Sequence, residues 1–212
     1  MFALVTLLGL AGLILVLTVH SFQRARKEGE KRNPAAYIGY LGGAVGSGIK
    51  NFPGHIFSST LSFFRNLPCT EFEKWLAAGL TLSFSYLALS GFVFAFLPGR
   101  SLFGVFLVLH VMLGGLFALC LTLLALLRAR DFVIDIQNDG IPIPLEKVAF
   151  KAMFWIFSAA GALLTATALI PMLPLLTHTG QLQAQVLHRY TALAALLSFS
   201  AFLYFGIKSQ RV

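Results

Sequence analysis

The sequence predicts an all-α integral membrane protein with five transmembrane helices, the last four forming a bundle. Three observations predict it. Hydrophobic residues make up 58% of the 212-residue chain and charged residues only 11%, a balance outside the range of soluble domains. The apolar residues gather in runs long enough to cross a bilayer core of ~30 Å at a rise of ~1.5 Å per residue. The basic residues collect between alternate runs, as the positive-inside rule requires.

The first run, Phe2 to Val19, has no basic residue before it and is followed by Arg24, Arg26, Lys27, Lys31 and Arg32. A secretory signal carries its positive charge in front, so this run reads as an uncleaved anchor with the N-terminus outside. Residues 1–20 are therefore an anchor, 21–71 a cytoplasmic or interfacial amphipathic segment, and 72–212 a four-helix membrane domain. Within the second of these, Pro34 to Thr70 is apolar but broken by six glycines and two prolines. It reads as short amphipathic pieces on the membrane surface rather than a span.

Span two runs from about Phe72 to Leu97 and ends at Pro98-Gly99-Arg100, a tight turn that makes it an antiparallel neighbour of span three, Ser101 to Arg128. The charged stretch Arg128 to Lys151 is a solvated loop with a short hairpin at Asn138-Asp139-Gly140. Span four covers about Val148 to Leu175. A polar loop, Thr177 to Gln185, leads to span five, about Val186 to Ile207. This topology leaves only Arg100 and Arg189 of the sixteen Lys and Arg on the outer side, and places the C-terminus in the cytoplasm.

The net charge of +8 is thus a topology signal, and the pattern of grooves and stacking residues that nucleic-acid binding needs is missing. Two cysteines, Cys69 and Cys120, do not support a disulfide framework. No CxxCH motif occurs, so no c-type haem is attached.

Span three holds one ionisable side chain before its end, His110. An imidazole among Leu, Val, Phe and Met must bond another helix, a water or a metal. His188 in span five is the second such residue. Two intramembrane histidines on separate helices suit a b-type haem ligated from both sides, and they equally suit an ordinary hydrogen bond between helices. Counted from the outer ends, His110 lies roughly 13 Å deep and His188 roughly 3 to 9 Å. Arg100 and Arg189 could hold haem carboxylates, or Arg189 could snorkel to the interface. Gly114 and Gly115 would admit either a flat macrocycle or a second helix. His20 and His55 read as interfacial and His178 as a solvent-exposed loop residue.

Three stretches, Trp75 to Arg100 with Leu-Ala-Leu-Ser-Gly-Phe-Val-Phe at 87–94, Leu-His-Val-Met-Leu-Gly-Gly at 109–115, and Leu-His-Arg-Tyr-Thr-Ala-Leu-Ala at 187–194, carry a family resemblance. Spans two to five resemble the four-helix cytochrome b subunits of membrane-bound formate dehydrogenases and related hydrogenases. The resemblance implies two stacked haems, the outer one on histidines matching His110 and His188. The inner one would need histidines where Lys74 and Phe202 stand, so both inner ligands are missing together.

The expectation is a cytochrome b-like four-helix bundle with one haem b on the outer side, in the inner membrane of a prokaryote. It would pass electrons between an extracytoplasmic iron–sulfur or cytochrome c subunit and the quinone pool. No nucleophile–base pair or phosphate loop is present, so substrate catalysis would belong to other subunits of the complex. With the inner haem absent, a quinone site would lie in the outer half, near Tyr86, Trp155 or the outer end of span four. Two other readings stay open: a haem-free membrane anchor or assembly subunit, and a small transporter. The latter has no inverted repeat and no mid-membrane acid in its favour.

Overall fold

A computed structural model of the chain describes residues 2–27, 70–96, 102–134, 137–138, 141–142, 144–172 and 176–209. The surface segment expected over 34–70 and the turn at 98–100 lie outside these residues, apart from Thr70. By their contacts the residues fall into two compact units, one holding Met1–Thr6 and Pro68–Val212, the other Leu7–Leu67.

Helix α1 spans Phe2–Lys27 and runs past the first apolar run into the basic residues. Its apolar stretch, Leu4–Val16, is about 20 Å long at ~1.5 Å per residue, short of a ~30 Å hydrocarbon core. Four other helices are long and apolar enough to cross a membrane.

Helix α2 (Glu71–Phe96) starts at a capping box. The Glu73 amide donates to Thr70 Oγ1 at 3.3 Å and the Thr70 amide donates to Glu73 Oε2 at 2.7 Å, which satisfies two backbone donors at the helix start. Leu76, Leu80, Ser83, Leu87 and Ser90 are buried at alternating spacings of four and three, one stripe of a helix. Helix α3 (Gly104–Arg128) packs antiparallel against α2. Arg128, at its end, reaches Glu73 at 3.0 Å, with both side chains mostly covered. This ties the start of α2 to the end of α3.

The loop after α3 holds a two-residue ladder, β1 (Gln137–Asn138) with β2 (Ile141–Pro142), the hairpin that Asn138-Asp139-Gly140 announces. Helix α4 (Leu145–Leu169) ends in a single 3₁₀ turn, Ile170–Met172, at Pro171, whose ring cannot continue an α-helix. Helix α5 is His178–Ser209, eight residues longer at its start than the hydropathy pattern suggests. The cause is a cap: Thr177 accepts the Gly180 amide on its hydroxyl at 3.3 Å and the Gln181 amide on its carbonyl at 3.0 Å, so the polar stretch 178–185 is helix rather than loop. Helices α4 and α5 share the most extensive interface in the bundle.

One phenylalanine from each long helix meets at the centre. Phe84 lies 5.5 Å from Phe117, 5.4 Å from Phe157 and 5.1 Å from Phe199. Beside this layer α4 crosses α3 at Gly161, where a Cβ would overlap the Leu121 side chain and crowd the Phe117 ring at 3.1 Å. The outward faces are apolar too, with Leu89 67%, Val105 72% and Leu126 72% exposed, far more apolar surface than a soluble monomer shows and what a lipid-facing surface requires.

Gly161→Ala is expected to destabilise the bundle by about 1–3 kcal/mol through overpacking, read as a lower thermal midpoint in detergent. Gly12→Ala, with no atom within 4 Å of its added methyl, is the matched substitution and leaves the midpoint unchanged or slightly higher.

Candidate functional site

The end of the bundle formed by the C-terminus of α2 and the N-termini of α3 and α5 carries the two histidines. His110, in the second turn of α3, places Nδ1 2.8 Å from the Ser90 hydroxyl of α2. His188, on α5, places Nδ1 3.2 Å from the Thr167 hydroxyl of α4. Both rings are half-buried and their hydroxyl partners are buried. The pair singled out in the sequence is thus gathered at one end, one member on each helical hairpin.

At ~1.5 Å per residue, His110 lies about 9 Å along α3 from Gly104 and His188 about 15 Å along α5 from His178. These lengths along the helices come in the opposite order from those counted on the hydropathy pattern, because α5 starts earlier and α3 later than hydropathy alone indicates.

Around His110 the first turns of α3 touch α2 through His110 on Ser90 and Phe106 beside Phe94 at 5.6 Å, and much of the rest of their surface is exposed. Val105, Phe106, Leu107, Val108, Val111 and Met112 are all exposed, and a Cβ at Gly114 or Gly115 would meet no atom within 4 Å. Gly114 is one turn from His110 on the same face, so that gap lies beside the imidazole. Arg189 is exposed beside His188; Arg100 lies outside the described residues, as does His55. His178 is exposed as expected, though as the first residue of a helix. The backbone of His20 belongs to α1.

Ser90 and Thr167 were not singled out in the sequence, although each had a signal. Both are the hydroxyl that ends a buried stripe, at Leu76, Leu80, Ser83, Leu87, Ser90 in α2 and Phe154, Phe157, Gly161, Leu164, Thr167 in α4. One turn from Ser90, the Tyr86 hydroxyl is buried without a hydrogen-bond partner. Phe2 stacks on Phe92 at 6.1 Å and meets Tyr190 edge-on at 5.6 Å, so the start of α1 belongs to this same end.

The opposite end is filled. Phe202, at one of the two positions where the family pattern would need an inner histidine, is buried and stacks on Phe150 at 4.7 Å; Phe132 stacks on Phe154 at 3.9 Å beside it. Lys74, at the other, pairs with Glu71 at 2.7 Å. Trp155 donates Nε1–H to the Phe132 carbonyl at 2.9 Å, which assigns it to this end and corrects its expected place in the histidine half.

Among the described residues no three of His, Cys, Asp and Glu gather into a metal-ligand group. Two imidazoles fall short of the three or four protein ligands of a zinc site, whereas an iron already held in a macrocycle needs only two. No family model, no curated protein and no solved structure matches the chain.

The double variant Lys74→His/Phe202→His is expected to bind no more haem than the unaltered chain, because Phe132, Phe150 and Phe154 still occupy that end. The haem-to-protein ratio of the purified protein checks this; a second equivalent of haem would contradict it.

Proposed function

We propose that this chain is a haem b-binding membrane subunit of a respiratory-type redox complex, passing electrons between an extracytoplasmic redox partner and the quinone pool. The observation that carries the reading is the histidine pair: two half-buried imidazoles on different hairpins, each tied to a neighbouring helix through Nδ1, so that both Nε2 atoms remain for iron. The open space beside Gly114 on the His110 face is where a flat macrocycle could lie. A haem bound there supplies a one-electron ferric/ferrous couple.

In this reading His110 and His188 supply the axial ligands, and Arg189, together with Arg100, neutralises the haem carboxylates. The phenylalanine layer of Phe84, Phe117, Phe157 and Phe199 excludes water from the side facing the bundle centre. The filled opposite end removes any electron route in that direction, so a quinone exchanges electrons near the histidine end. The complex would sit in the inner membrane of a prokaryote, with the histidine end outward. Within the bundle the described basic residues Lys74, Arg128, Arg130, Lys147 and Lys151 lie at the opposite end, which the positive-inside rule assigns to the cytoplasm.

A second reading, the haem-free anchor, is favoured by the same hydrogen bonds, since they satisfy one nitrogen of each ring without a cofactor. The other nitrogen separates the two: among the described residues no protein group bonds Nε2 of either ring, a valence that a cofactor would use and an anchor would leave idle.

Absorption spectra of the purified full chain, oxidised and dithionite-reduced, test the reading. A sharp low-spin b-type band on reduction is expected, with one haem per chain, lost in His110→Ala and in His188→Ala and kept in His178→Ala. A folded protein, produced with ample haem, that shows no such band contradicts it and leaves the anchor.

A further inference from the structure

The Ser90 hydroxyl has a single proton and three close neighbours: the Tyr86 carbonyl at 2.8 Å, the Leu87 carbonyl at 3.3 Å and His110 Nδ1 at 2.8 Å. Carbonyls only accept, so the hydroxyl proton is directed into its own helix. An unprotonated Nδ1 would then face the oxygen lone pairs, acceptor against acceptor. The contact is favourable only if Nδ1 carries a proton and donates it to the hydroxyl oxygen.

Thr167 repeats the arrangement on the other hairpin. Its hydroxyl lies 2.9 Å from both the Leu163 and the Leu164 carbonyls and 3.2 Å from His188 Nδ1.

We propose that Ser90 and Thr167 are positioning residues that lock His110 and His188 in the Nδ1–H tautomer, so that each ring turns a bare Nε2 lone pair away from its hydroxyl. This deepens the haem reading and rests on it for its purpose, though the tautomers themselves do not. A neutral imidazole with both choices open favours the proton on Nε2, the atom that must be bare to ligate iron. Each hydroxyl reverses that preference before any ligand arrives, fixes the ring plane, and leaves the ligand neutral, since a hydroxyl already donating elsewhere is a far weaker acceptor than a carboxylate.

Nitrogen-15 NMR of histidine-labelled, haem-free full chain in detergent reads the tautomers directly. Both rings are expected as Nδ1–H. Ser90→Ala is expected to return His110 to Nε2–H and leave His188 as it was, and Thr167→Ala the converse. Ser83→Ala, which removes a buried hydroxyl bonded only to the Gly79 and Leu80 carbonyls of its own helix, changes neither. Ser90→Thr and Thr167→Ser restore the hydroxyl and the Nδ1–H form, which separates loss of the acceptor from loss of the fold. Rings found as Nε2–H in the unaltered chain, or unmoved by the alanine variants, overturn the proposal.

In haem-loaded protein the alanine variants are expected to hold haem 10- to 100-fold more weakly and to shift the midpoint potential, with the conservative variants close to the unaltered chain. If the unaltered chain binds no haem, the function proposed above fails while the tautomer assignment still stands or falls on the NMR.

Discussion

An imidazole inside hydrocarbon must have its polar atoms satisfied by protein, because no water is there to do it. That constraint acts twice in this molecule and explains how its two hairpins are built. His110 can sit in span three only because Ser90 waits on α2, and His188 in span five only because Thr167 waits on α4. Each hydroxyl is itself anchored by bonding back to its own helix, so the partners hold position before the imidazoles reach them. The hydrogen bonds run within hairpins, not between them. Packing joins the hairpins instead, through the four-phenylalanine layer and the Gly161 crossing.

The two ends of the bundle answer the same problem in opposite ways. At the far end every interior position is apolar or paired: Phe132, Phe150, Phe154 and Phe202 fill the space, and the mostly covered Glu73–Arg128 ion pair ties α2 to α3. That pair is not fully buried and shares its charges with Thr70 and Asp131, and it marks a closed, structural end. At the histidine end the first turns of α3 are exposed over much of their surface, a Cβ at Gly114 or Gly115 would meet no atom of the described residues within 4 Å, and the Tyr86 hydroxyl is buried with no hydrogen-bond partner among them. Closed packing at one end and open polar valences at the other is the asymmetry that the proposed single haem would use.

Much of this was legible in the sequence, and what was missed has physical causes. Hydropathy located α2, α3 and α4 to within a few residues, because long apolar runs bounded by charge and proline leave little choice. It misplaced the start of α5, since composition cannot show that Thr177 caps the polar stretch from His178 onward. His110 and His188 stood out because ionisable residues are rare in spans. Ser90 and Thr167 did not, because serine and threonine in such helices most often bond their own backbone, as Ser83, Ser158 and Ser198 do here. Phe202 was visible only as a missing histidine; that it belongs to an aromatic layer depends on three side chains from other segments meeting it.

In the proposed function the two imidazoles, one from each hairpin, bind one iron. Pulsed electron paramagnetic resonance of the oxidised, haem-loaded chain, with nitrogen-15 confined to histidine, tests that claim most directly. A low-spin ferric signal coupled strongly to two imidazole nitrogens, reduced to one by replacing either His110 or His188, is the result predicted here. A high-spin signal, or a low-spin signal whose couplings survive both replacements, would contradict it.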